Sequence, residues 1–219
     1  DDKLAQEIGL HNGKTEMWYV MNAEKDASLV SGFNRDVTPQ EFENAIKEKN
    51  IGEMLNYEKV QNDDVFFIPA RKIHALGAGC MVAEIQQTSD TSYRVYDWDR
   101  IDRFGMQRQL HIDEALATIN FKKEDSGKVK YDKKAKNATV NLVSCPYFTT
   151  NVIKLDAESA LKKDYSELDS FVILMGVSGS YEGGTELVKA GECILVPNVV
   201  NKIDIISNEE CKLLEVYIV

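Results

Sequence analysis

The side chains best suited to chemistry are few and widely spaced. The chain has three histidines, His11, His74 and His111. His74 follows an apolar run that ends in Pro69, in "FFIPARKIHALG". A turn there could present a neutral imidazole to a cavity, where a carboxylate from another strand would complete part of a zinc shell. Taken alone, a histidine beside apolar residues is more often a structural residue that packs and hydrogen-bonds. Glu16 stands at the entry to an apolar run in "NGKTEMWYV", two residues after Lys14. This pairs a possible metal ligand with a titrating ammonium, and the plain alternative is an exposed ion pair at a strand end.

The densest charged stretch is "EIQQTSDTSYRVYDWDRIDRFG". Strand alternation would put Tyr93, Val95 and Asp97 on one face and Arg94, Tyr96 and Trp98 on the other. An arginine among aromatics suits a phosphate or a developing oxyanion, and it suits a structural ion-pair lattice equally well. No nucleophile elbow, Walker loop, dinucleotide fingerprint or HExxH motif occurs, which moves nucleotide and serine-hydrolase chemistry down the order.

The elements that must position these residues are mainly strands. Runs such as "MWYVM", "DVFFIP", "CMVAEIQQ", "SYRVYDW", "ATVNLV", "FTTNVIKL", "FVILMGVSG", "CILVP", "NKIDII" and "LLEVYIV" are rich in aromatic and β-branched residues and closely spaced. They predict an all-β architecture of sandwiches or barrels. Two helices interrupt them. Thr38-Pro39-Gln40-Glu41 carries an N-cap, a first-turn proline and a capping glutamate, with Phe42 and Ile46 on one stripe. "HIDEALATI" has apolar residues at helical spacing and reads as a connector. The polar segment 122–137, "KKEDSGKVKYDKKAKN", reads as a solvated linker between two strand-rich blocks, 1–121 and 138–219.

With 219 residues, 43% apolar content and a formal net charge of −10, the chain is expected to be globular and to act on something small. No general attraction to nucleic acid or an anionic membrane is expected. No apolar run reaches the roughly 18 residues of a membrane span. Cys80, Cys145, Cys193 and Cys211 are far apart without CxxC spacing, so buried reduced thiols in a cytoplasmic protein are expected. A start at Asp1 suggests a fragment, a processed form or a cropped chain.

Taken in order, "GKTEMWYV", "VFFIPARKIHALG" and "EIQQTSDTSYRVYDWDR" resemble the signature stretches of type I mannose-6-phosphate isomerases of the compact bacterial kind, a cupin-fold family. The resemblance runs on through "RQLHIDEAL" into the second block. It implies a mostly β fold of two cupin-like jelly-roll units, with a helical insertion near 38–56 and a connector helix near 111–119. It also implies interconversion of mannose 6-phosphate and fructose 6-phosphate through an enediol-like intermediate. Glu16 and His74 become zinc ligands and Arg94 the active-site arginine. Lys14 and Glu84 line the sugar-phosphate pocket, with Lys14 a candidate proton handler. His11 and His111 are left structural. The family draws a further ligand from a His-Pro-Asp-Asp stretch just upstream, so the chain as it stands is expected to bind metal poorly. The second block, without metal ligands, is expected to serve as support. A non-catalytic cupin module that binds sugar or packs against a partner is the competing reading, and a different cupin isomerase or epimerase is a third.

Overall fold

Alternating apolar runs must bury one face, and in the computed structural model, which describes residues 1–218, they do so in two compact units, Asp1–Lys128 and Val129–Val219. Among the described residues no helix is long and apolar enough to cross a membrane.

The first unit holds a short helix α1 (Asp2–Glu7) and strands β1 (Glu16–Ala23) and β2 (Ser28–Phe33). Helix α2 (Pro39–Lys47) and a 3-10 turn (Ile51–Met54) follow, then β3 (Leu55–Lys59), β4 (Val65–Ile68), β5 (His74–Leu76), β6 (Cys80–Gln86) and helix α3 (Ile112–Thr118). Its strands make two antiparallel three-stranded sheets, β4-β1-β6 and β3-β2-β5. Trp18, Val20, Leu29, Phe66 and Ile68 pack into one core. A second cluster forms under α2, where Phe42 meets Phe33 and Phe121 with ring centroids 6.0 and 5.4 Å apart.

Helix α2 starts where its sequence says it should. Thr38 Oγ1 accepts from Glu41 N at 3.2 Å, and Glu41 Oε2 accepts from Thr38 N at 2.7 Å. Two amides at the helix end are thereby satisfied reciprocally. The sequence 122–128 lies along this unit. Lys72 Nζ donates to Asp125 O, Ser31 Oγ to Ser126 O, and Phe67 N to Gly127 O.

The second unit contains β7 (Ala138–Ser144), β8 (Thr149–Leu155), β9 (Ser159–Asp164), β10 (Val172–Ser178), β11 (Ser180–Gly183), β12 (Glu186–Lys189), β13 (Cys193–Val196), β14 (Lys202–Ser207) and β15 (Cys211–Tyr217). They form a five-stranded sheet, β13-β10-β15-β8-β7, and a four-stranded sheet, β12-β11-β14-β9. Ile153, Leu155, Leu174, Ile205 and Leu213 are among the side chains of the core.

Two expectations need correction. "SYRVYDW" forms no strand, so its residues do not alternate between two faces. Trp98 and Asp99 take φ of 53° and 52°, a left-handed geometry that ends any extended run. The four cysteines are free, as expected, but only Cys211 is buried. Cys80 and Cys145 are half-buried, and Cys193 is exposed on the edge strand β13.

Removing the Phe42 ring leaves Phe33 and Phe121 without their common partner. Phe42→Ala should destabilise the first unit by about 3–5 kcal/mol, read from urea denaturation together with hydrogen exchange in α2 and β2. A loss under about 1 kcal/mol would mean that this aromatic cluster does not hold α2 in place.

Candidate active site

The first unit holds a cavity of about 610 Å³, bordered by Trp18 of β1, by Val30, Leu55 and His74 of the β3-β2-β5 sheet and by residues of the 91–100 segment, well within the range of ligand pockets. Beside it sits Glu16, the first residue of β1, fully excluded from solvent. His74 opens β5 on the other sheet, where it pairs with Ser31. The two sheets thus bring a carboxylate and an imidazole 58 sequence positions apart into contact. His74 Nε2 lies 3.2 Å from Glu16 Oε1, and Lys14 Nζ lies 2.7 Å from Glu16 Oε2. Neither contact has hydrogen-bond geometry, and both carboxylate oxygens are buried without a hydrogen-bond partner.

The imidazole is oriented from behind. His74 Nδ1 is 2.7 Å from the carbonyl oxygen of Lys72. A carbonyl can only accept, so Nδ1 carries the hydrogen. In the neutral ring, Nε2 then turns a lone pair toward a carboxylate oxygen. Two acceptors face each other, which calls for a proton or a cation between them. Trp18 packs edge-on against the ring at 5.3 Å between centroids, and its indole N–H donates to Glu84 Oε2 at 2.9 Å. Glu84 is paired with Trp18 across the β1–β6 ladder. It therefore reaches the site through Trp18 and through Lys14, whose Nζ is 3.8 Å from Glu84 Oε1.

The turn that delivers His74 is tight. Lys72 N donates to Pro69 O, and Arg71 takes φ of 76°, where glycine is the easy choice. A non-glycine residue held there is a strained position beside the cavity. Lys72 is buried, and that burial pushes its ammonium pKa down.

Arg94 lines the same cavity. Its main chain is paired with His111 instead of a strand. Arg94 N donates to His111 Nδ1 at 3.2 Å, His111 N donates to Arg94 O at 2.8 Å, and Arg94 Nη1 reaches Gln109 O at 3.1 Å. His111 therefore holds the arginine, a role its sequence position does not suggest. Three residues further on, Asp97 is buried and grips both Arg100 and Arg108. Arg108 first, then Arg100, holds the Asp97 carboxyl far below the usual carboxylate range. Lys14, Arg71, Lys72, Arg94, Arg100 and Arg108 border the cavity against the carboxylates of Asp1 and Asp97, so a chain of net charge −10 carries a pocket with an excess of basic side chains. His11 has no place in its wall. Among the described residues, no three His, Cys, Asp or Glu side chains are grouped to hold a metal ion.

No family model matches the chain. It is similar to a mannose-6-phosphate isomerase of Bacillus subtilis, 32% identical over 203 residues that cover 91% of this chain and 63% of that protein. It is also similar to the mannose-6-phosphate isomerase of Streptococcus mutans, 31% identical and covering 91% of this chain and 63% of that one. The solved mannose 6-phosphate isomerase of B. subtilis superposes with a TM-score of 0.83 at 26% identity, covering 100% of this chain and 69% of that chain. A putative mannosephosphate isomerase from Archaeoglobus fulgidus shares the fold, with a TM-score of 0.76 at 21% identity over 100% of this chain and 66% of that one. In sequence and in its mostly β fold, the chain is a relative of the mannose-6-phosphate isomerases. It spans less than two thirds of the length of these curated relatives.

The Asp97 clamp makes a signed prediction. A lowered folded-state pKa contributes stability that is complete above the unfolded aspartate value of about 3.9. That contribution shrinks below this value and vanishes once pH falls through the folded value. Asp97→Asn should therefore speed tryptic cleavage at Arg100 to Arg108 at neutral pH. The stability gap to wild type should stay constant above about pH 5 and close on further acidification. A gap that widens with acid would contradict the clamp.

Proposed function

We propose that this chain carries the active site of a metal-dependent mannose-6-phosphate isomerase, interconverting mannose 6-phosphate and fructose 6-phosphate. The observation that carries the proposal is the Glu16–His74 pair, a buried carboxylate without hydrogen bonds facing an imidazole nitrogen whose tautomer is set by Lys72 O. The donors suit zinc. Tetrahedral N and O ligands at about 2.0–2.2 Å lie roughly 3.3 Å from one another, and these two atoms are 3.2 Å apart. Glu16 and His74 supply two positions of such a shell, leaving the others to water, substrate or donors beyond the described residues. Bound there, zinc would polarise the oxygens at C1 and C2 of the sugar.

The remaining chemistry falls to the chain's own side chains. Isomerisation moves a proton between C2 and C1 while negative charge grows on the neighbouring oxygen. Lys14, held between Glu16 and Glu84, is placed to handle that proton. Arg94 is placed to stabilise the developing oxyanion from a fixed direction, because His111 and Gln109 already hold it. Glu84 orients Trp18 and Lys14. The basic border of the cavity suits a phosphorylated sugar. Phosphorylated sugars are retained in the cytoplasm, which is where this reading places the protein.

The test is metal content and mannose-6-phosphate turnover of the full-length protein beside two variants. His74→Ala should weaken zinc binding at least about tenfold and abolish turnover. Arg94→Ala should keep zinc but lose roughly a hundredfold in kcat. A full-length protein that is folded yet neither binds zinc nor turns over substrate would replace this reading with a sugar-binding cupin module.

A further inference from the structure

The second unit contains a polar layer where its own alternation demands apolar side chains. On β15, Cys211, Leu213 and Glu215 share one face. On β8, Leu155, Ile153 and Asn151 are their register partners. On β9, Leu161 is followed two residues later by Lys163. The inner members of each series pack in the apolar core, and the last member of each is polar. Glu215 is buried to 1% exposure. Its Oε1 accepts from Tyr165 Oη at 2.7 Å and lies 2.8 Å from Lys163 Nζ, and its Oε2 accepts from Asn151 Nδ2 at 2.8 Å. Asn141 in turn donates to Asn151 Oδ1 at 2.9 Å. Burial, and then the Glu215 charge, push the Tyr165 phenol far up, which keeps it a donor.

A buried ion pair is a poor way to stabilise a core. Apolar residues of similar volume generally do as well or better, because two ions must be desolvated. Polar groups at core positions therefore call for a reason other than packing. Here the layer opens onto a cavity of about 340 Å³ lined by Asn151, Lys163, Glu167, Glu215 and Tyr217, among others. We infer that this cavity is a binding site for a neutral polyhydroxylated ligand of monosaccharide size.

The chemistry of the lining selects that class. Asp164 is taken up by Ser166 and Lys202, which leaves the carboxylates of Glu167 and Glu215 against the ammonium of Lys163, so an anion such as a sugar phosphate is disfavoured. An organic cation would meet Lys163 directly. Hydroxyl groups can donate to the carboxylates and accept from the lysine. Among the described residues, Glu215 Oε2 receives only the Asn151 amide and keeps acceptor capacity. The partly buried Tyr217 ring offers a face for the apolar side of a sugar. This site is independent of the isomerase reading and uses none of its residues.

Saturation-transfer NMR on the full-length protein, with D-mannose and myo-inositol as probes, tests the inference. Both should bind with a Kd on the order of millimolar, and binding should persist in His74→Ala. Glu215→Gln should raise the Kd about tenfold. Glu167→Ala, an exposed change that leaves the buried layer intact, should also weaken binding without lowering Tm. The inference is overturned if neither probe shows transfer at about 50 mM. It is equally overturned if binding survives both second-unit variants, or disappears in His74→Ala.

Discussion

A carboxylate that cannot reach water dictates the arrangement of the first unit. Glu16 is fully buried and lacks hydrogen bonds, and an isolated ion in that state is costly unless opposite charge is brought to it. The opposite charge comes from Lys14 two residues upstream, while His74 on the facing sheet brings an imidazole nitrogen against the other carboxylate oxygen. Bringing His74 there constrains much else. The turn from Pro69 to Lys72 must close with Arg71 in a left-handed conformation. Lys72 O must then fix the imidazole, while Trp18 packs its edge and is itself oriented by Glu84.

The other half of the pocket is organised without a sheet. Residues 91–100 belong to no strand, so the main chain around Arg94 has no ladder to hold it. Its polar groups are satisfied instead by His111 and Gln109, and the following loop is fastened by one buried aspartate between two arginines. Such ionic fastening is more directional than apolar packing. It suits a segment that must present charge to a cavity while leaving Trp98, Ile101 and Phe104 exposed.

Legibility in the sequence followed the range of the interactions involved. The α2 start was readable because its cap closes within four residues, Thr38 to Glu41. Strands β1, β4, β8, β10 and β15 are readable because burial on one or both faces makes them apolar. Arg94's segment misled because alternation of polar and apolar residues looks the same whether or not a partner strand exists. Strand β9, "SALKKD", has no apolar alternation to mark it, since Lys163 occupies an inward position. His111 looked structural because the residue it holds lies 17 positions away. The Lys14–Glu16 pair was visible, but its burial was not, since that depends on what the facing sheet covers.

The two units treat buried carboxylates in opposite ways, and the contrast separates their chemistries. Glu215 accepts a phenol and an amide and is paired with an ammonium, so its lone pairs are largely committed and its charge is compensated by the chain itself. A metal ion there would have to displace Lys163 and break bonds already made. Glu16 has the Lys14 ammonium close by but no hydrogen bonds, and His74 Nε2 is left to face it by a proton fixed on Nδ1. An incoming cation at Glu16 would gain ligands without breaking any hydrogen bond to the carboxylate. A carboxylate already held by hydrogen bonds, with one acceptor site to spare, favours hydroxyl recognition, whereas one without hydrogen bonds favours coordination. The same residue type therefore points to sugar hydroxyls in one unit and to a metal in the other.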